Sequence, residues 1–149
     1  MMDDYLQHTF NQTDIDNYIS SQAEETINLD FKRGDALRID DKIKNEIAKD
    51  VSAFANSDGG IIVYGIEEKN FKATNFVFVN GNEVKKEWLE QVINSRIHRK
   101  IDGVIIDPIR YDNKIEHTIF VVKIPRSLNA PHMTSDKKFY RPVQPDADQ

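Results

Sequence analysis

The sequence predicts one domain that mixes helix and sheet, and three stretches predict it. Residues 42–57 repeat apolar side chains at helical spacing, 61–66 form a nearly continuous β-branched run, and 26–32 alternate apolar and polar. A chain of 149 residues suits a single domain with a real core. Hydrophobic residues at 39% and charged residues at 30% are ordinary for a globular protein. No window approaches the roughly 18 apolar residues of a membrane span, and no signal-peptide pattern opens the chain. The expectation is a cytoplasmic protein with no membrane partner. Cysteine is absent, which excludes disulfides and thiolate metal sites.

Taken in order, residues 1–22 read as an N-terminal arm able to hold one short helix. That helix would cover 14–22, with Thr13 as N-cap and Ile15, Tyr18 and Ile19 on one face. In 26–32, Ile27, Leu29 and Phe31 point one way and Asn28, Asp30 and Lys32 the other, as in a half-buried strand. Gly34 ends it, and Asp40 or Asp41 caps the next helix. Through 42–57, Ile43, Ile47, Ala48, Val51, Phe54 and Ala55 share a face, while Lys42, Lys44, Glu46 and Lys49 lie outside it. Gly59-Gly60 stops the helix, because glycine tolerates the left-handed position past a helix end. The run 61–66 then reads as a strand buried on both faces, delivering Glu67 and Glu68 just past its end.

Residues 75–79 suggest a short strand and Asn80-Gly81 a turn. Asn82 would cap a second helix over 83–97, with Val84, Trp88, Val92 and Ile93 inward. Residues 104–109 and 118–124 read as strands flanking a turn at 111–114, and 138–141 as a last short strand. The tail 144–149 is polar, with disorder expected there.

The chemistry concentrates on acids. Alternation places Asp30 and Lys32 on one strand face, so a carboxylate that can ligate a cation stands beside an ammonium that can steady a phosphate or a water. Hard divalent ions such as Mg²⁺ or Mn²⁺ prefer oxygen ligands and keep several waters. Glu25, at the strand's entrance, would add a ligand or position a water, and Glu67 and Glu68 would approach from the next strand. The plain alternative is that all four acids are solvated strand-end charges, with Lys32 in a surface pair worth ~0–1 kcal/mol.

Gly59-Gly60 makes a poor nucleotide loop, because it follows a helix C-terminus, where the dipole repels anions, and no Walker-type lysine comes after it. A net charge of −5 means that nucleic-acid contact needs a local basic patch or bound cations. Candidates are Arg96, His98, Arg99 and Lys100 at the second helix end, with Arg126, Lys137, Lys138 and Arg141. A basic helix end also suits the macrodipole on its own. Tyr140 fits either a base-stacking role or a place in the core, Trp88 reads as core, and His132 as a loop histidine rather than a ligand.

Glu25-x4-Asp30-Phe31-Lys32, AFANSDGG (53–60) and IIVYGIEE (61–68), followed by IPRSLNAPH (124–132) and FYR (139–141), together resemble the Schlafen AlbA-like domain. The likeness runs from about Glu24 to Arg141, which makes 23–143 the domain. It implies an α+β fold, a mixed β-sheet with helices packed against it. It also implies action on nucleic acid, since Schlafen lobes bind RNA and some cleave tRNA or rRNA with three acids and a divalent metal. By resemblance those acids fall at Glu25, Asp30 and one of Glu67 or Glu68, with Lys32 beside them. Asp30 stands where the family favours Glu, Glu67 or Glu68 where it favours Asp, and Pro142 follows Arg141 where a Gly is usual nearby.

The expectation is a divalent-metal-dependent endoribonuclease for structured RNA such as tRNA. The alternative is a non-catalytic nucleic-acid-binding or oligomerisation module of a larger transcriptional regulator. Paired lobes in the family suggest a homodimer, and DNA remains open as a substrate.

Overall fold

The computed structural model describes residues 4–136 and 138–142; Lys137 and the tail 144–149 lie outside the described residues. The chain is α+β, as the resemblance implies. Its centre is a four-stranded mixed sheet whose strands lie in the order 29–32, 60–64, 118–124 and 105–110. β1 (Leu29–Lys32) runs parallel to β2 (Gly60–Tyr64), and α3 (Asp41–Ala55) makes the crossover between them. β7 (Thr118–Ile124) is antiparallel to β2 and to β6 (Ile105–Arg110).

Both faces of the sheet are covered, which is why β2 and β7 are buried at every position. On one face Ile62, Tyr64, Phe120, Val122 and Ile106 pack against α3 and α4 (Lys86–Arg96). On the other, Phe31, Ile61, Val63, Ile119 and Val121 meet Phe10, Ile15 and Tyr18 from the N-terminal segment.

That segment holds two helices, α1 (Asp4–Gln7) and α2 (Gln12–Ser20). Asn11, not Thr13, caps α2. Its side chain accepts from the Asp14 backbone N–H while the Asp14 carboxylate accepts from the Asn11 N–H, a reciprocal pair that needs an acid three residues on. Asp40 caps α3, accepting from the Ile43 N–H at 2.8 Å.

Further expectations need correction. The run 61–66 is two strands, because Gly65 sits at φ +125°, where a side chain is strained, and turns the chain out of the sheet. Glu67 and Glu68 therefore belong to β3 (Ile66–Lys69), hairpinned to β4 (Lys72–Phe76) through Asn70 and Phe71. That pairing also moves the strand expected at 75–79 forward. The second helix begins at Lys86, not 83, because the turn at 80–84 uses its own donors. Both Glu83 and Val84 donate to the Asn80 carbonyl, and Asn82 donates to the Asn80 side chain.

Trp88 is half-buried against the core rather than inside it. No strand forms at 138–141; instead β8 (Met133–Thr134) pairs with β5 (Ile97–His98), and Phe139 only bridges Met133. The Asn56 side chain holds the carbonyls of His132 and Tyr140, which keeps this segment at the end of α3. Gly59, at φ +78°, ends α3 as expected.

Candidate functional site

β1 is an edge strand, so one row of its backbone groups faces away from the sheet. The chain before it folds back, and the Glu25 carboxylate accepts the outward Phe31 N–H at 2.8 Å. Glu25 is anchored in turn by its own N–H, which donates to the Phe71 carbonyl at 2.6 Å on the β3–β4 turn. Register sets the rest. Asp30 pairs with Ile62 and Lys32 with Tyr64, so both charged side chains share the sheet face covered by α3. There Lys32 Nζ lies 3.1 Å from Asp30 and 3.7 Å from Asp50, which α3 supplies.

The hairpin brings the remaining acids. Glu25, Asp30, Lys32, Glu67 and Glu68 line one cleft of ≈ 360 Å³, with Arg33 and Asp35 at its rim. Their commitments differ. Glu67 pairs with Arg33 at 2.5 Å, and Arg33 also forks onto Asp35. Glu68 uses one oxygen to accept the Phe71 N–H at 2.9 Å. Past β1 the cleft continues as a second hollow of ≈ 340 Å³ that shares Glu25, Asp30 and Lys32 and adds Lys49, Asp50, Phe54, Phe71, Tyr140 and Arg141.

The electrostatics follow from crowding like charges in a half-dry place. Burial, then a hydrogen bond shared with Asp30 and the charges of Asp30 and Glu68, pushes the Glu25 carboxyl up to about 8 against the pull of the Phe31 N–H. The crowding of Glu25 against Asp30 and Glu68 thus favours its protonated form. Burial likewise raises Asp50 to about 6, with Lys32 opposing and Asp30 and Glu46 adding to the rise. For Lys32, burial works against the ammonium, but Asp50 and Asp30 outweigh it and the net shift is upward. Lys32 is a secured cation. Below it the Tyr64 hydroxyl is buried without a hydrogen-bond partner among the described residues, and burial followed by Asp50 and Asp30 holds it protonated.

No group of three His, Cys, Asp or Glu side chains among the described residues is arranged as a metal cage. The Glu25–Asp30 pair nonetheless fits a hard cation of the kind held by one or two carboxylates, waters and substrate phosphate. It offers only oxygen, and the repulsion that lifts Glu25 is what a cation would relieve.

The basic candidates separate. Arg141 borders the acid cleft, and Lys49, from α3, joins it there. Arg96, His98, Arg99, Lys100, Arg126 and Lys138 do not line it. Arg96 is bound to Asp41 at 3.0 Å and Asn45 at 2.9 Å on the first turns of α3. His132 is fully buried; its Nδ1 donates to the Arg99 carbonyl at 2.7 Å, so its Nε2 accepts from the Ser127 hydroxyl.

Asp50, Phe71 and Lys49 are residues that the sequence reading missed. Asp50 carried a signal, since it falls between Ile47, Val51 and Phe54 on the buried stripe of its helix, where an acid needs a partner.

A family model described as Schlafen, AlbA_2 matches residues 25–146. Among solved structures, the DIP2311 protein from Corynebacterium diphtheriae is similar, with a TM-score of 0.61 and 17% identity. The alignment covers 90% of this chain and 28% of that one, and at this identity it shows the fold alone. The chain thus spans under a third of that protein's length. No curated protein matches the chain significantly.

Proposed function

Since the chain belongs to the Schlafen AlbA_2 family, whose members suggest a nucleic-acid-related function, we propose that it is a metal-assisted endoribonuclease for structured RNA such as tRNA. One observation carries the reading: Glu25, Asp30, Lys32 and Glu68 line one cleft, and Lys32 Nζ stands 3.1 Å from Asp30 within it. A bound Mg²⁺ or Mn²⁺ would polarise a phosphoryl oxygen and make a bound water a better nucleophile.

The chain's residues divide the remaining work. Glu25 and Asp30 would hold the cation, whose charge would offset the repulsion between their carboxyl groups. Glu68, whose second oxygen accepts no hydrogen bond among the described residues, would be the third acid in preference to Glu67, whose carboxylate serves to aim Arg33. Lys32, held cationic by Asp50 and Asp30, offsets the charge that gathers on the phosphate.

The second reading is a non-catalytic nucleic-acid-binding or oligomerisation module. It is favoured by the pairing of Asp30 and Glu67 with protein cations and by the missing three-acid cage among the described residues. The test is cleavage of a tRNA pool with Mn²⁺ or Mg²⁺ by wild type, Asp30→Asn and Lys32→Ala. Cleavage lost in both variants, with circular dichroism unchanged, supports the nuclease. An inert wild type that retains RNA in a low-salt gel shift favours the module, and no retention removes nucleic acid from the account. A homodimer is proposed from the family's paired lobes, and a monomeric mass by light scattering would remove it.

A further inference from the structure

The half of the cleft away from Glu67 and Glu68 differs in character from the acid half. Its apolar lining is Leu29, Ala53, Phe54, Phe71 and Tyr140, with Arg141 and Lys49 beside them and Asp30, Lys32 and Asp50 at the end it shares with the acid half. Phe71 is 40% exposed and sits at φ +65°, beside Asn70 at φ +52°. A two-residue hairpin turn with both φ values positive strongly favours glycine at its second position, so a bulky aromatic there is strained. Its ring nonetheless stays 40% exposed and lines the hollow, which is the pattern of a side chain kept for a ligand. Tyr140, in the same lining, is fixed by Asn56 at its carbonyl and by Asp136 at its hydroxyl, with the Lys49 ammonium 5.4 Å from its ring centroid. Arg141 has no carboxylate partner among the described residues, and Lys49 has none within ion-pair distance there either.

Aromatic surfaces, two cations without an ion-pair carboxylate among the described residues and Lys32 at the inner end suit one chemical species: a nucleotide whose base is out of its helix. We propose that this hollow is a subsite for one unpaired nucleobase, stacked against Phe71 or Tyr140, with the neighbouring phosphates reached by Lys49, Arg141 and Lys32. The inference rests on the nucleic-acid reading above and adds to it that the cleft takes single-stranded, looped or flipped nucleotides rather than an intact duplex. Duplex RNA offers its backbone and grooves, and its bases are not available for stacking on a protein ring.

The test is fluorescence anisotropy in EDTA, which prevents cleavage, with a labelled 12-nucleotide single-stranded RNA. The same strand annealed to its complement and an abasic strand of equal length serve as comparisons. The variants are Phe71→Gly and Tyr140→Ala. Phe71→Gly suits the positive φ, so lost binding cannot be blamed on a damaged turn. The expected result is tighter binding of the single strand than of the duplex or abasic strand, and roughly a tenfold loss in each variant, the scale of one base–aromatic stack. Equal binding of all three probes, unchanged by Phe71→Gly, would overturn the base subsite and leave nucleic-acid binding standing. Failure to bind any probe would overturn both, and would point to a protein segment as the ligand of those rings.

Discussion

Lys32 sits between two carboxylates, Asp30 from its own strand and Asp50 from the crossover helix, and the pair has a consequence for stability. Asp50 is raised from 3.8 to about 6, chiefly by burial. A carboxyl whose folded pKa is raised binds a proton more tightly in the folded chain than in the unfolded one. Its favourable contribution is complete below about pH 3.8 and is lost as pH rises through about 6. Glu25 acts with the same sign over a window from 4.5 to about 8. Urea midpoints followed from pH 4 to 9 should therefore fall across both windows in wild type. Asp50→Asn should lose the lower part of that slope and keep the upper part; an identical slope in the variant would mean that Asp50 titrates normally.

The residues that alternation places side by side, Asp30 and Lys32, were legible because a strand's period of two is rigid. Asp50 was not, because its approach to Lys32 depends on how α3 is laid over β1. The grip of Glu25 on the Phe31 N–H was equally hidden, since it requires the chain to double back before the strand.

Elements with a one-sided or fully buried pattern were the readable ones. α3 and β7 emerged close to their observed bounds, and β2 did except at its end at Gly65, because burial on a fixed face imposes a period or a continuous apolar run. The β3–β4 hairpin did not, since its second turn residue is Phe71 rather than the glycine that usually marks such a turn. The sequence also left two acids at the start of α3, and the structure separates them. Asp40 accepts from the Ile43 N–H, whereas Asp41 pairs with Arg96 from an 84% exposed position. Asp40→Ala should thus cost about 1 kcal/mol, the usual value of an N-cap. Asp41→Ala should stay within about 0.5 kcal/mol, in the range of surface pairs. Thermal unfolding of both variants checks this ordering, and equal losses would mean that the cap is shared.

Across the whole molecule, the N-terminal segment is tied to the sheet through a charge in its interior. Lys123 interrupts the apolar run of β7 and is 2% exposed, with its ammonium 2.8 Å from Asp107 on β6 and 2.6 Å from the His8 carbonyl. Asp107 also accepts the Phe10 N–H at 2.9 Å, so the pair clasps the chain just before α2 while Ile15 fills the core beneath it. The sequence reading treated this segment as an arm because local pattern cannot reveal a latch between residues about a hundred positions apart.

Removing one member of a buried pair strands the other, so Lys123→Met should lower stability by about 3–5 kcal/mol. The double variant Lys123→Met/Asp107→Leu leaves no stranded charge, and its loss should be smaller than that of the single variant. Both variants should speed amide exchange at residues 8–10, because each removes a partner that the latch supplies to that backbone. A urea midpoint barely moved by Lys123→Met, with exchange in that stretch unchanged, would show that the segment is held by Ile15 and its apolar neighbours and that the ion pair contributes little.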